Sequence, residues 1–314
     1  MSSLAVPGKV RSGPARTLRV IWRHRAIYVM LAAPLLYFLI FRYAPLWNAQ
    51  IAFKDFSPID GVMRSPWIGF RHFLTFFHSI YFGQLIRNTL GYSLAKLLVG
   101  MPTAILLALG LAETASRRLR SVVQTASYLP HFLSWVIMYG ILLGLLSPGD
   151  GLINDLLKRA GLQPIAFLTE PRWFPVVVVV SDVWKEAGWS AIIFLAGLLG
   201  IDTALYEAAA VEGASRMQRI RWISLPGILP VVVVITLLRL GNILDAGFQQ
   251  IFVLYSLPVY SVSDILDTWI YRSGVLDFQL SLASAVGLFK GVIGLALIVT
   301  ANRLAKRVAG SGLY

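Results

Sequence analysis

Six apolar stretches dominate this 314-residue sequence, and each is long enough to cross a lipid bilayer. A transmembrane helix needs about 20 predominantly apolar residues. The composition agrees, because 57% of the residues are hydrophobic, only 14% are charged, and the mean hydropathy is +0.71. A soluble chain would have a more polar surface. The sequence therefore predicts an all-α integral membrane protein with six transmembrane helices, at residues 26–46, 88–112, 121–146, 174–200, 226–248 and 282–302.

The basic residues outside these stretches predict the orientation in the membrane. Six spans place both termini on one side, which carries fifteen Lys and Arg residues, whereas the other side carries nine over far longer segments. Because cytoplasmic segments hold the excess of Lys and Arg, both termini are predicted to be cytoplasmic. The net charge of +13 is then a topology signal rather than a sign of nucleic-acid binding. Residues 1–25 and 308–314 are interpreted as cytoplasmic tails, and no cleavage site marks a signal peptide.

Several classes of chemistry find no support in the sequence. The chain has no cysteine, which excludes disulfides and cysteine-based metal or redox sites. The phosphate-binding pattern G-x-x-x-x-G-K-[S/T] is absent, so nucleotide is not bound here in the usual way. The four histidines are scattered and form no metal-ligand motif. The prediction is a chain with no catalytic residues, no metal site and no cofactor of its own.

A charged, helix-prone segment at residues 207–230, EAAAVEGASRMQRIRWISLPGILP, interrupts the apolar pattern. Its alanine-rich first part favours a short helix that Gly213 is able to end. A second short piece follows, with three arginines among apolar residues, before the next span begins. The surrounding loop, residues 201–225, lies on the predicted cytoplasmic side. Two short helices joined at a glycine on the water side of a membrane are typical of a docking element.

This segment resembles the EAA motif of ABC importer permeases: Glu-Ala-Ala, a glycine five residues after the first of these alanines, then Ile-x-Leu-Pro. Flanking segments such as WKEAGWSAIIFLAGLLGID and SLASAVGLFKGVIGLALIVTANRLAKR are similar to the polysaccharide and oligosaccharide permeases related to maltose-type importers. The resemblance covers about residues 30–307. Two features depart from it: Glu212 stands where the motif usually has Asp, and only about 40 residues separate the first two spans.

The resemblance implies a type I importer permease fold over residues 26–307 and a multi-pass location in a bacterial inner membrane. It also implies partners: a second, different but homologous permease, a dimer of cytoplasmic ATPase subunits that bind ATP and Mg, an external solute-binding protein, membrane lipid and an oligosaccharide cargo. An alginate importer's permease is among the relatives it suggests. Hydrolysis of ATP by the partner would then drive the spans between inward- and outward-facing states.

The resemblance gives the loop residues roles in coupling to the ATPase. The two glutamates would make charge-assisted contacts, the alanines would permit close approach, the glycine would allow the bend, and the arginines would pair with ATPase acids or lipid phosphates. A solvated loop that only joins two spans is the alternative. The candidate coupling residues are Glu207, Ala208, Ala209, Glu212, Gly213, Arg216 and Arg219.

Polar residues inside the spans predict a substrate path, because lipid makes them costly. If the fifth span is a continuous helix, four of its polar residues fall within about 120° of one face: Arg239, Asn242, Asp245 and Gln249. Hydrogen-bonding side chains and aromatic rings are what sugars need. The alternative is that these residues bond between helices or, for the tryptophans, lie at the membrane interface. The candidate path residues are Trp184, Trp189, Arg239, Asn242, Asp245 and Gln249.

Charged residues within the spans bear on the cargo. Asp182, Lys185 and Glu186 are close enough in sequence to pair internally, whereas Lys96 and Lys290 are isolated in their spans. With Arg239 and Asp245, these span charges sum to +1. That sum is compatible with an acidic oligosaccharide, such as an alginate or uronate fragment, and nearly as compatible with a neutral one.

Two other functions stay open at this level. An ion-gradient-driven secondary transporter or channel also has polar, interrupted spans, although such a carrier has no need of the loop at residues 201–225. A membrane scaffold that binds a cytoplasmic partner without transport is the other alternative, and the polar residues of the fifth span argue against it.

Overall fold

The computed structural model describes residues 22–309, and over this range the fold is helical, as predicted. No strand is present among the described residues, where the only β-type pairing is an isolated bridge between Lys54 and Trp67. Most of the predicted tail 1–25 and of the tail 308–314 lies outside the described residues.

Fifteen α-helices make up the described chain. They are α1 Arg25–Phe38, α2 Gly61–Arg64, α3 Arg71–Phe77, α4 Phe82–Glu113, α5 Arg117–Tyr128, α6 Trp135–Leu146, α7 Leu152–Arg159, α8 Phe174–Leu199, α9 Thr203–Val211, α10 Arg216–Arg219, α11 Leu225–Gly241, α12 Phe248–Leu254, α13 Tyr260–Ser263, α14 Leu266–Tyr271 and α15 Leu280–Ala309. Shorter π and 3-10 turns extend several of them, so that α1 continues to Phe53 and α10 joins α11 through Ile220–Ser224.

Four continuous helical segments are long and apolar enough to cross a membrane: Arg25–Phe53, Phe82–Glu113, Arg216–Gly241 and Leu280–Arg303. Two bent pairs meet the same criterion together. The first is α5 with α6, bent by 111°, and the second is α8 with α9, bent by 70°. Counting each pair as one span gives six. The helix of the fifth span, α11, ends at Gly241, whereas the predicted span continues to residue 248.

The bundle is organised around α8, which packs along α4 more extensively than any other pair of described elements do. Ala104 and Ala108 of α4 and Ala191 of α8 are fully buried, and their small side chains let the two backbones approach. Gly188 brings α8 equally close to α5: a Cβ at this position would lie 2.0 Å from the carbonyl oxygen of Ser127. The centre of α8 therefore has close neighbours on two sides.

Candidate functional site

The loop at residues 201–225 folds into two short helices whose ends are capped from within the loop. Asp202 caps α9 by accepting a hydrogen bond from the Ala204 N–H at 2.9 Å. Gly213 adopts a left-handed φ of +81° just after the helix. The Ala214 and Gly213 N–H groups then donate back to the carbonyls of Ala209 and Ala210, which is a Schellman C-cap. The predicted helix end at Gly213 is confirmed.

The second short helix, α10, begins with a capping box. The Ser215 N–H donates to the Gln218 side chain at 2.7 Å, and the Ser215 hydroxyl accepts from the Gln218 N–H. The π turn Ile220–Ser224 then leads directly into α11. The Tyr206 hydroxyl lies 3.0 Å from the Ser224 hydroxyl and links α9 to this turn. The two short helices are therefore tied together and joined rigidly to the fifth span.

The loop presents charged and apolar side chains that have no partner of their own. Glu207, Glu212 and Arg216 are exposed, and Arg219 is half-buried. None of these four side chains forms an ion pair within the described residues. Apolar side chains are exposed beside them, namely Leu205, Val211, Met217 and Trp222. Exposed apolar groups rimmed by free charges are typical of a protein-binding surface.

A second feature lies within the bundle, where α4, α8 and the end of α11 enclose an open cavity of about 450 Å³. Its lining combines apolar residues with groups that bond to sugars or to charges. The lining residues are Ser93, Lys96, Leu97, Asp182, Glu186, Trp189, Ser190, Ile193, Ile235, Leu238, Arg239, Asn242, Ile243, Asp245, Ala246 and Gly247.

One wall of the cavity is a non-helical break in the fifth span, which we call the fifth-span break and define as residues 242–247. Ala246 and Gly247 there have φ of +47° and +82°. The Lys96 ammonium, from α4, donates to the Ala246 carbonyl at 3.0 Å and to the Gln250 side chain, and it pairs with Asp182 at 3.1 Å. The Ser93 hydroxyl donates to the Ile243 carbonyl. Polar side chains of α4 thus satisfy backbone that lipid would leave unpaired.

A second break interrupts the third span between α5 and α6, and we define it as residues 129–134, the third-span break. The Lys185 ammonium, from α8, donates to the His131 carbonyl at 2.5 Å, to the Leu133 carbonyl at 2.8 Å and to the Pro130 carbonyl at 3.3 Å. It closes the C-terminal end of the preceding turn, as basic side chains do at helix ends. Ser134 caps the following helix by accepting from the Ile137 N–H.

The charged side chains of the spans pair between helices. Asp182 pairs with Lys96 and not with Lys185, whereas the Lys185 ammonium lies 3.9 Å from a Glu186 carboxylate oxygen, so the predicted internal pairing forms only in part. Lys290 bridges Asp245 and Asp267 at 2.5 and 2.7 Å, so it is not isolated as its sequence position suggested. These contacts join residues far apart in the chain.

Aromatic rings cover the cavity side of the third-span break. The His131 ring nitrogen lies 2.9 Å from a Glu186 carboxylate oxygen. The same imidazole stacks on the Trp189 indole, with centroids 4.6 Å apart and planes tilted by 4°. Trp189 keeps about 42% of its surface exposed. The cavity therefore meets an indole that is backed by a second ring.

Four of the six predicted path residues line the cavity, and two do not. Trp189, Arg239, Asn242 and Asp245 are in its wall. Trp184 instead lines a separate, wholly apolar cavity of about 270 Å³ beside α6 and α7. Gln249 is exposed elsewhere, and its neighbour Gln250 is the buried one. The prediction of a single polar face along a continuous fifth helix is wrong because the helix ends at Gly241.

The candidate path left out five of the polar wall residues, among them Glu186, which had been noted only as a span charge: Ser93, Lys96, Asp182, Glu186 and Ser190. Lys96 and Asp182 were identified as span charges but not placed at the cavity, since nothing local connects α4 with α8. The described residues contain no group of three or more His, Cys, Asp or Glu side chains that could hold a metal ion.

The comparisons with known proteins agree on one class. A family model described as "Binding-protein-dependent transport system inner membrane component" matches residues 100–310. The polygalacturonan/rhamnogalacturonan transport system permease protein YteP of Bacillus subtilis (strain 168) is 39% identical over 299 residues, which cover 95% of this chain and 93% of that protein.

Two crystal structures of bacterial ABC transporters are similar to the present fold. One transporter is involved in the import of the acidic polysaccharide alginate; it matches with a TM-score of 0.88 and 42% identity, over 93% of this chain and 99% of the matched chain. The other is an alginate ABC transporter in complex with an alginate pentasaccharide-bound periplasmic protein. It matches with a TM-score of 0.88 and 41% identity, over 95% of this chain and 100% of the matched chain.

Proposed function

This chain belongs to the family of binding-protein-dependent transport system inner membrane components, and we propose that it forms the translocation path of an ATP-driven importer of oligosaccharides or polysaccharide fragments. As a member of this family it is a permease, a transport subunit. The family membership sets aside the ion-gradient-driven carrier and the scaffold that the sequence had left open.

The exposed two-helix loop is the observation that carries the proposed coupling to an ATPase. Among residues 22–309, the Glu207 and Glu212 carboxylates form no ion pair, and neither do the guanidinium groups of Arg216 and Arg219. Ala208 and Ala209 keep the first helix slender enough for close approach. The ATPase partner binds ATP and Mg, and its cleft receives the loop.

The cavity is the proposed path for the cargo. Trp189 presents a partly exposed indole against which a sugar ring can stack, and Asn242 and Asp245 present hydrogen-bonding groups. The relatives named above transport polygalacturonan, rhamnogalacturonan or alginate, so we propose an oligosaccharide of uronates as the cargo. An external binding protein delivers it, and a second homologous permease completes the path in a bacterial inner membrane.

Replacement of Gly213 by valine tests the coupling role. Its φ of +81° is strained for a β-branched residue by about 1–2 kcal/mol, although no atom lies within 4 Å of the added Cβ. The chain should still fold and insert, whereas uptake and stimulated ATPase activity should fall at least about tenfold because the bend between α9 and α10 changes.

Gly161→Val is the matched control, since Gly161 has a φ of +75° and equally open surroundings in a loop outside the coupling region. It should leave uptake intact. If Gly213→Val keeps both uptake and stimulated ATPase activity, or if Gly161→Val loses them to the same extent, the docking role is wrong. The amount of each variant that co-purifies with the ATPase gives an independent measure of docking.

A further inference from the structure

The charges of the cavity wall are unevenly satisfied. Lys96 and Arg239 are its cations, and Asp182, Glu186 and Asp245 are its acids. Lys96 pairs with Asp182, as described above. Arg239 differs, because within the described residues no carboxylate oxygen lies within 4.0 Å of its guanidinium.

The remaining cavity acids are committed elsewhere. Glu186 contacts the His131 ring at 2.9 Å and the Lys185 ammonium at 3.9 Å. Asp245 is held by Lys290, which also binds Asp267 behind the wall. Each acid of the lining is therefore paired with a group other than Arg239.

Arg239 is held in place without being neutralised. Its guanidinium donates one hydrogen bond to the Ser190 hydroxyl at 2.8 Å, and it lies beside Gly100, where an added Cβ would be 3.8 Å from it. A guanidinium has five N–H donors in a planar fork. One neutral acceptor uses a single donor and leaves the others free to form a bidentate pair with a carboxylate.

From this geometry we propose that Arg239 is the specificity-determining residue of the cavity, which binds the carboxylate of a uronate unit as the cargo passes. The inference rests on the proposed function, and it assigns the recognition of acidic cargo to one side chain. Ser190 is a positioning residue, because it orients the guanidinium. Trp189, Asn242 and Asp245 would serve the ring and hydroxyls, which acidic and neutral sugars share.

The test uses the complete transporter, with both permeases, the ATPase subunits and the binding protein, reconstituted in liposomes. The cargoes are a saturated oligogalacturonate and the same oligomer with its carboxylates methyl-esterified, supplied at concentrations that saturate the binding protein for each. The variants are Arg239→Gln and Arg239→Lys. Arg87→Gln is the control, since Arg87 is outside this cavity and its guanidinium donates to the Ser261 carbonyl at 3.2 Å.

Arg239→Gln should lower the uptake of the oligogalacturonate about ten- to hundredfold, which is the range for losing a hydrogen-bonded charge contact. Uptake of the methyl ester should change less than about twofold. Arg239→Lys should recover part of the acidic uptake because it keeps the charge without the planar fork. Ser190→Ala should weaken acidic uptake to a smaller degree and leave the ester unaffected.

The proposal is overturned if Arg239→Gln slows both cargoes equally, since Arg239 is then structural, or if it slows neither. It is also overturned if the wild-type transporter carries the ester and rejects the acid. A wild-type complex that carries neither cargo and shows no stimulated ATPase activity would contradict the proposed function itself, so the two failures are distinguishable. The thermal unfolding midpoint of each variant shows whether it is folded.

Discussion

The third-span break and the fifth-span break both leave backbone groups without helical partners, and different kinds of contact satisfy them. Each interrupts a membrane span, and in each a lysine from a neighbouring helix donates to exposed backbone carbonyls. The Lys185 ammonium donates hydrogen bonds to three carbonyls of the third-span break. The Lys96 ammonium donates one hydrogen bond to a carbonyl of the fifth-span break, and its other contacts are with the Gln250 and Asp182 side chains.

This difference suggests that the third-span break is rigid and that the fifth-span break can rearrange. Opening of the third-span break would remove the Lys185 donor from the His131 and Leu133 carbonyls. Lys96 is held mainly by side chains, which can exchange partners through rotamer changes. The fifth-span break also lines the cavity, beside Arg239. We therefore expect the third-span break to govern folding and the fifth-span break to govern transport.

The largest effect is expected from Lys185→Met. It leaves the His131 and Leu133 carbonyls without a donor, at about 1–3 kcal/mol each. The thermal unfolding midpoint of the solubilised transporter should fall sharply and little folded complex should be recovered.

Lys96→Met tests the fifth-span break. It removes one carbonyl donor and leaves Asp182 unpaired, and the second change Asp182→Asn should restore most of the lost stability, as a double-mutant cycle would measure. Transport should stay impaired in the double variant. Equal loss of stability in Lys185→Met and in the Lys96→Met/Asp182→Asn variant would erase the distinction between the two breaks.

The next largest effect is expected at Gly188, which packs against α5 just before the third-span break. Gly188→Ala places a Cβ 2.0 Å from backbone at Ser127, which cannot give way without moving a helix. Overpacking of this kind costs about 1–3 kcal/mol, so a lower unfolding midpoint is expected. Gly140→Ala on α6, where no atom lies within 4 Å, is the control.

The smallest loss of stability is expected from Gly247→Ala. The added Cβ would lie 2.3 Å from the Lys96 ammonium, a flexible group that can move aside. The φ of +82° adds about 1–2 kcal/mol of strain. Uptake should fall more than the unfolding midpoint does, since the displaced lysine no longer holds the cavity wall. A variant with full uptake would show that this contact does not matter for transport.

The same contrast explains what the sequence could predict. The helix end at Gly213 depends on signals within a few residues, so the sequence predicts it. The caps at Asp202 and Ser215 are equally local, although the sequence analysis did not identify them. The cavity depends on contacts between distant helices, such as Lys96 with Asp182. A continuous fifth helix was assumed there, although Gly241 and Gly247 bracket the segment that breaks. Gln249 was assigned to the path for that reason. Trp184 was assigned to it because the sequence does not show which face of α8 meets the cavity.

One continuous helical element connects the loop at residues 201–225 with the cavity. The segment Arg216–Gly241 runs without a break from the second short helix of the loop to the edge of the cavity. At about 1.5 Å per residue it is roughly 39 Å long. Under the proposed function, a partner that tilts the segment at Arg216 would therefore displace Arg239 at its other end. The proposed docking of the ATPase and the proposed binding of the cargo would then be coupled mechanically through one helical segment.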